Sequence, residues 1–314
     1  MKTTVNKKDT KSVDANVSAN GSKMKIEFIY PKHYDLIFHV LTYFKVNNPS
    51  DLYDEGYIGK MAMEKVDFDY DIKPAVKSLQ DYYNENFERL MLINFLPYYS
   101  NDYDEMKNIF LSCDRFTHDD LQFFIKPFIE MLDNESKFFF GHWEALNRKY
   151  ESLKQSTENY FASALEKCAC VFEYFNKPCR ILFSFVITQN GRGLYSDTHF
   201  AALIRFPENE NAFDFSFIQL LHEYTHSFTD GLLNQNINMK DDSHSISENV
   251  VIVADYFLIK SIDKNFIPQY FEWVKNGRNE DLDEEKFLSL FKFDENLKDE
   301  LMKLISKILE LRTE

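Results

Sequence analysis

The stretch FSFIQLLHEYTHSFTDGLL, residues 215–233, decides the fold of this chain. Its apolar side chains recur every three or four positions, which predicts an amphipathic helix with one face in a core. The apolar seam comprises Ile218, Leu221, Phe228 and Leu232. Asp214 or Ser216 is predicted to cap the start of this helix, because a short polar side chain there can accept a backbone N–H bond.

The same helix carries the motif His222-Glu223-Tyr224-Thr225-His226. Histidines four positions apart lie one turn apart on the same face, so both imidazoles can reach one metal ion at about 2.0–2.1 Å. Glu223 stands beside the first histidine, where it can take a proton from a water on that ion. The motif therefore predicts a zinc site with His222 and His226 as ligands and Glu223 as general base. Tyr224 and Thr225 are interpreted as packing residues.

A catalytic zinc ion needs a third protein ligand and one open position. The stretch SHSISENVVIVADYFLIK, residues 243–260, predicts a second helix, and its Glu248 is the preferred third ligand. Asp255 lies seven positions later on nearly the same face, where it can accept a hydrogen bond from the far nitrogen of a ligand imidazole. Two alternatives stay open. Ser245-x-x-Glu248 is also a capping box, in which Glu248 binds the helix backbone, and the reserve ligands are Asp241, Asp242 and His244.

Two strand patterns precede these helices. The run ILFSFVIT, residues 181–188, is continuously β-branched and aromatic, which is typical of a buried strand. Residues 189–193 supply turn chemistry, and residues 198–206 predict a second strand that ends before Pro207. Near the start of the chain, MKIEFIY predicts a further short strand.

Most of the remaining chain has helical spacing. One clear seam lies in the first half, and LMKLISKILELR gives another near the end. The first seam comprises Leu121, Phe124, Ile125, Phe128, Ile129 and Leu132. We therefore predict an α+β, mostly helical fold, with a small mixed sheet packed on the HExxH helix and helical N- and C-terminal regions. The histidines of residues 24–151, which share no spacing, are interpreted as structural: His33, His39, His118 and His142.

Composition excludes several classes of partner. The formal net charge is −15, and no basic stripe is present to meet phosphates, so we expect no nucleic acid partner. No run approaches the roughly twenty apolar residues of a membrane span, and the first residues lack the apolar stretch of a secretory signal. The four cysteines show no disulfide framework and are interpreted as reduced thiols. These features predict a cytoplasmic protein.

The chain resembles the gluzincin group of zinc metallopeptidases, which includes the thermolysin-like and aminopeptidase-like families. In that group a second helix follows the HExxH helix after about twenty residues, and its Glu completes the metal site. Here residues 227–247 separate His226 from Glu248, and Glu248-Asn249 is similar to the local pattern around the third ligand. The resemblance covers residues 180–260. It implies a zincin-like metallopeptidase domain at 152–314. The polar composition of residues 1–23 predicts a disordered tail, and the apolar spacing of residues 24–151 predicts a helix-rich region.

The sequence also departs from related patterns. Metzincins place a Gly and another His shortly after the motif, whereas here no His comes before His244. In thermolysin-like enzymes the supporting acidic residue lies nearer to the ligand Glu than Asp255 does here, and the amino-terminus recognition motif of the aminopeptidases is absent. The resemblance implies that residues 198–206 form the edge strand on which an extended substrate binds.

The predicted function is hydrolysis of peptide bonds in a peptide or protein substrate by a zinc metallopeptidase. A donor for the oxyanion is also expected, and the candidates are Tyr256, Tyr270, His244 and His199. One alternative is a regulatory binding protein on an inactive zincin scaffold. The other is a zinc hydrolase of non-peptide amides or of a formyl group. Small deformylases combine HExxH with an upstream Cys ligand, but Cys179 lacks the surrounding motif.

Overall fold

The structure is a computed structural model, and the residues that it describes form an α+β, mostly helical fold with a small mixed sheet. This confirms the predicted fold class. The described residues are 25–48, 51–174, 177–188, 191–196, 198–236, 243–275 and 281–311, with only the backbone described at 234–236 and 243–244. The tail predicted at residues 1–23 lies outside them. No helix in these ranges combines the length and the hydropathy that crossing a bilayer requires.

The chain divides into two compact units, each described here by itself. The helical unit comprises Tyr30–Glu151 and Phe183–Arg192. The sheet unit comprises Met1–Ile29, Ser152–Leu182 and Gly193–Glu314. The first strand, which lies near the start of the chain, thus belongs with the second half of the sequence.

The helical unit is built from seven α-helices in its described residues. They are α1 (Lys32–Leu41), α2 (Glu55–Glu64), α3 (Lys73–Glu85), α4 (Phe87–Leu90), α5 (Tyr103–Ser112), α6 (His118–Asp120) and α7 (Lys126–Lys149). A π-helical turn at Leu121–Ile125 joins α6 to α7, and 3₁₀ turns occupy Met91–Asn94 and Leu96–Tyr99. Helix α7 packs against α1 around an aromatic core, in which the rings of Phe124 and Phe128 stack 5.3 Å apart.

A buried carboxylate ties α1 to two other segments of the helical unit. Asp35 is fully buried and accepts hydrogen bonds from Trp143 Nε1 at 2.8 Å, from Phe185 N at 3.0 Å and from the hydroxyl of Ser184. Burial raises the pKa of Asp35 to about 6, although these three hydrogen bonds act in the opposite direction.

The sheet unit contains the other seven α-helices of the described residues. They are α8 (Glu151–Lys167), α9 (Ala169–Glu173), α10 (Phe213–Asn236), α11 (Ser243–Ile262), α12 (Ile267–Lys275), α13 (Glu284–Leu290) and α14 (Glu295–Glu310). Short 3₁₀ turns precede α10 and α12, at Glu210–Ala212 and Lys264–Phe266. Helix α10 packs against α11, α12 and α14.

The predicted cap of the HExxH helix is wrong. Helix α10 begins at Phe213, so Asp214 and Ser216 both lie inside its first turn. The 3₁₀ turn runs directly into the helix, and its own cap is Asn209, whose side chain accepts a bond from the N–H of Asn211. The cap therefore forms before the 3₁₀ turn.

Four strands form one sheet in the described residues. They are β1 (Ile26–Ile29), β2 (Cys179–Ser184), β3 (Arg192–Tyr195) and β4 (Phe200–Arg205), in the order β1-β2-β4-β3. Strand β1 pairs in parallel with β2, with Ile26 opposite Cys179. Strand β2 ends four residues before the predicted boundary, because the hydroxyl of Ser184 accepts bonds from the N–H groups of Val186 and Ile187 and turns the chain.

The predicted edge strand is wrong as well. Strand β4 lies between β2 and β3, and β3, whose first two residues the sequence pattern places in a turn, is the edge strand on that side. The physical reason is the pairing of β3, which covers the side of β4 that the prediction left open. Five of the six residues of β4 are accordingly buried, whereas β3 becomes exposed at Tyr195. Strand β4 packs on α10 through Phe200, whose ring lies 4.7 Å from that of Tyr224.

Candidate metal centre

Helices α10 and α11 bring three predicted ligands together. On α10 the rings of His222 and His226 lie 4.9 Å apart, as expected for residues one turn apart. Glu248 of α11 faces both histidines, with Oε2 3.4 Å from Nε2 of His222 and Oε1 3.5 Å from Nε2 of His226. One possible ligand atom from each of the three residues lies within 4.8 Å of the other two. Within the described ranges this is the one such group of three.

The two separations between Glu248 and the histidine nitrogens fit shared coordination of one ion. A hydrogen bond from an imidazole nitrogen to a carboxylate normally spans about 2.7–3.2 Å, which is shorter than either distance. Two ligands that each lie about 2.0–2.1 Å from a tetrahedral zinc ion are about 3.3–3.4 Å apart. Two imidazoles and one carboxylate also form an established donor set for catalytic zinc. The three side chains therefore fit this metal.

The cluster is open on one side. The side chain of His222 is 10% exposed, that of His226 is 19% exposed and that of Glu248 is 34% exposed. Exposure thus increases from α10 toward Glu248. A site with three protein ligands and one accessible side leaves a position for water or substrate, as catalytic rather than structural zinc sites do.

The capping-box alternative for Glu248 does not hold. Helix α11 begins at Ser243, so Ser245 lies inside the helix and is not its N-cap. The carboxylate of Glu248 instead points at the two histidines. The reserve ligands Asp241, Asp242 and His244 have no described side chains.

Asp255 contacts the nitrogen of His222 that faces away from Glu248. Its Oδ2 lies 3.0 Å from Nδ1 of His222, which leaves Nε2 of that ring facing Glu248. The hydroxyl of Thr225 lies 2.5 Å from Oδ1 of Asp255. Both Asp255 and Thr225 are fully buried. Thr225 therefore does more than pack, a role that the HExxH pattern itself does not reveal because the fourth position of the motif varies freely.

The carboxylates around the histidines set their proton affinities. Burial alone would lower the pKa of His222, but Asp255 and Glu248 outweigh burial and raise this pKa to about 10. Burial and the nearby charge of His222 lower the pKa of His226. The cluster thus attracts one positive charge strongly, and a metal ion and a proton would compete for Nε2 of His222.

Glu223, the predicted general base, lies against the edge strand. A Cβ atom placed on Gly193 of β3 would lie 3.1 Å from Oε2 of Glu223 and 3.2 Å from its carbonyl oxygen. The sequence pattern places Gly193 in a turn and does not predict this contact. The ring of Trp273 on α12 also reaches the site, 5.1 Å from that of His222, and no motif predicts it.

Two candidates for the oxyanion donor have structural roles instead. Tyr270 is fully buried, and its hydroxyl donates to the carbonyl of Ile252 at 2.6 Å. Tyr256 stacks on Phe271 in the core. His199 lies in the link between β3 and β4, where its Nδ1 is 3.0 Å from the hydroxyl oxygen of Thr198. The side chain of His244 is not described.

Cys179 fits no ligand role. It is buried in β2, and burial raises the pKa of its thiol to about 12, so the metal-binding thiolate form is disfavoured. All four cysteines of the chain are free thiols. The deformylase-like alternative, which needs a Cys ligand, therefore has no support in the arrangement of the described residues.

No protein-family model, no curated protein and no solved structure matches this chain. Function is therefore inferred from the chemistry of the site, which comprises the three candidate ligands, Glu223 and Asp255.

Proposed function

We propose that this protein is a zinc-dependent metallopeptidase of the gluzincin type, with His222, His226 and Glu248 as zinc ligands and Glu223 as general base. The observation that carries the proposal is that three possible ligand atoms lie within 4.8 Å of one another. They come from α10 and α11, the two helices on which the sequence pattern places the HExxH motif and Glu248. The position of Glu223, next to a ligand in sequence and beside the edge strand in space, supports the same function.

Each residue has a role that follows from its place. His222, His226 and Glu248 hold the metal, and Asp255 keeps Nε2 of His222 directed at it. A zinc ion bound there supplies Lewis acidity, which polarises a carbonyl group and makes water a stronger acid. Glu223 accepts the proton of the attacking water and passes it to the leaving amine. The proposed reaction is hydrolysis of an amide bond.

A peptide or protein is the proposed substrate. Strand β3 is the edge of the sheet, and an edge strand offers backbone N–H and C=O groups that an extended peptide can pair with. Since β3 also lies against Glu223, a chain bound along it would pass close to the general base. The net charge of −15 disfavours a polyanion such as nucleic acid as substrate.

The proposal is tested by metal content and cleavage measured together. Zinc is determined by elemental analysis on the purified wild type, on Glu248→Ala and on Glu223→Gln, and each protein is incubated with a mixed peptide library. We expect about one zinc per chain in the wild type, loss of zinc in Glu248→Ala, and zinc without cleavage in Glu223→Gln. Glu300→Ala, which removes an exposed carboxylate from α14, is the matched control and should behave as the wild type.

The same experiment separates the alternatives. A wild type that holds zinc but cleaves no peptide contradicts the peptidase and favours a binding protein or a hydrolase of other amides. A wild type that holds no zinc and cleaves nothing contradicts the metal site itself.

A further inference from the structure

The edge strand β3 follows one face of the HExxH helix. Gly193 and Tyr195 are two positions apart, so both direct their side-chain positions to the same side of the strand. Their neighbours on α10 are Glu223 and Asp230, which are seven positions apart and therefore share a helix face. The strand thus contacts the helix at two places along the same line.

A side chain at Gly193 would crowd Glu223. A Cβ atom there would lie 3.1 Å from Oε2, 3.2 Å from the carbonyl oxygen and 3.5 Å from Cβ of Glu223. The first two distances are tighter than ordinary van der Waals contact. The carbonyl belongs to the helix backbone and cannot easily yield, so either the strand or the carboxylate of Glu223 would have to move.

The contact at Tyr195 holds the strand in this place. The phenol hydroxyl donates a hydrogen bond to Oδ2 of Asp230, one turn beyond His226 on α10. Asp230 is also close enough to His226 to act on the pKa of that ring. Because the strand is fixed to the helix at this end, it cannot easily swing away from Glu223 at the other end.

We propose that Gly193 is a positioning residue for the general base. The missing side chain allows β3 to lie directly against Glu223, and the strand then restricts the positions that the carboxylate can occupy. A base confined in this way stays within reach of the proton that it must accept, and misplacement of a catalytic group by about 1 Å can cost about a hundredfold in rate. This inference rests on the proposed function of Glu223.

The test is the variant Gly193→Ala, studied with its zinc bound. We expect kcat for a library peptide to fall at least about tenfold while KM changes less than about threefold, since the substrate still binds but the base is displaced. Zinc stoichiometry and zinc affinity should equal those of the wild type, because the three atoms nearest to a Cβ at Gly193 all belong to Glu223 and none belongs to a proposed ligand. Loss of zinc in this variant would overturn the inference.

Gly231→Ala is the matched control. Gly231 lies on α10, the helix that carries Glu223, and a Cβ atom there would meet nothing within 4 Å. The substitution should leave kcat, KM and zinc content unchanged. If Gly193→Ala is as active as this control while the wild type is active, the inference is wrong and the proposed function survives. If the wild type itself neither binds zinc nor cleaves, the proposed function fails and the inference fails with it.

A second readout does not depend on activity. In the metal-free protein, Gly193→Ala should lower the urea midpoint of unfolding, because the added methyl group crowds Glu223. The decrease should be smaller when Glu223 is replaced by Ala, since Oε2, one of the two crowded oxygens, is then absent. An equal decrease in both backgrounds would overturn the inference, because the side chain of Glu223 would then take no part in the contact.

Discussion

Oδ2 of Asp255 lies 3.0 Å from Nδ1 of His222, in a place where Asp255 is completely buried. A carboxylate behind a ligand imidazole fixes the ring orientation and its tautomer, and it increases the basicity of the opposite nitrogen. Asp255 is itself held by the hydroxyl of Thr225, which comes from the same helix as the two histidines. Two fully buried residues, Asp255 and Thr225, therefore support His222, which is more exposed than either.

The first prediction concerns this carboxylate. Asp255→Ala should weaken zinc binding about 10- to 100-fold, because His222 loses the partner that orients it. Asp255→Asn keeps an acceptor but loses the charge, so its affinity should lie between those of Asp255→Ala and the wild type. Competition with a chromophoric chelator measures both.

Thr225→Ser is the control for this pair, since it retains the hydroxyl that contacts Asp255. Its zinc affinity should match that of the wild type within about threefold. An unchanged affinity in Asp255→Ala would show that His222 needs no support from Asp255.

Much of the site could be predicted because its signals are local. The two histidines share a helix face by their spacing alone, and Glu248 lies on the next apolar helix, so the packing of α10 on α11 brings them together. The contacts that Gly193 and Thr225 make in the site could not be predicted, because a glycine in a polar stretch and a threonine in a helix have the same local appearance whatever they contact.

The sheet shows the same limit. Strand β3 has four residues, and Gly193 among them weakens any strand pattern, so the stretch resembles a turn. Which strand lies at the edge depends on pairing between residues that local periodicity does not compare. The family resemblance assigns the edge to β4, although β4 is almost completely buried. The mixed, mostly helical class could be predicted, since it depends on periodicity alone.

The second prediction tests whether Tyr224 of the motif is a packing residue. Its hydroxyl donates to the carbonyl of Phe172 at 2.8 Å, and its ring lies 4.4 Å from the ring of the same residue. Tyr224→Phe should lower the free energy of unfolding by about 1–2 kcal/mol, because a buried carbonyl loses its partner. Zinc content and kcat should not change. A fall in kcat of tenfold or more would give Tyr224 a part in catalysis.

The third prediction concerns the pH dependence that Asp35 confers on the helical unit. Its pKa is about 6 in the folded protein, above the ordinary value of 3.8, because burial disfavours the charged form. Protonated Asp35 therefore favours folding, and this contribution is complete below about pH 4 and is lost as the pH rises through about 6. A difference of this size corresponds to about 3 kcal/mol.

Asp35→Asn removes the titrating group and keeps an oxygen acceptor for Trp143. The free energy of unfolding of the variant relative to that of the wild type should therefore increase between pH 4 and pH 7, as urea denaturation of the metal-free protein can measure. A constant difference across this range would mean that Asp35 does not titrate there.

The fourth prediction has the opposite sign and concerns His33 of α1. Burial lowers its pKa to about 4, although nearby Asp102 acts to raise it. Nε2 of His33 is buried and has no hydrogen-bond partner among the described residues, so a proton placed there would have no acceptor. Neutral His33 stabilises the fold above about pH 6.5, and this contribution is lost as the pH falls through about 4.

His33→Gln should therefore reduce the loss of stability on acidification by about 3 kcal/mol between pH 6.5 and pH 4. Relative to the wild type, the free energy of unfolding of His33→Gln should decrease as the pH rises, whereas that of Asp35→Asn should increase. The two signs differ although both residues lie on the same helix and both are buried. The reason is that burial disfavours charge, and acidification charges His33 but neutralises Asp35. Urea denaturation of the metal-free wild type and of both single variants over this range measures the two slopes, and parallel curves for the wild type and His33→Gln would contradict the assignment to His33.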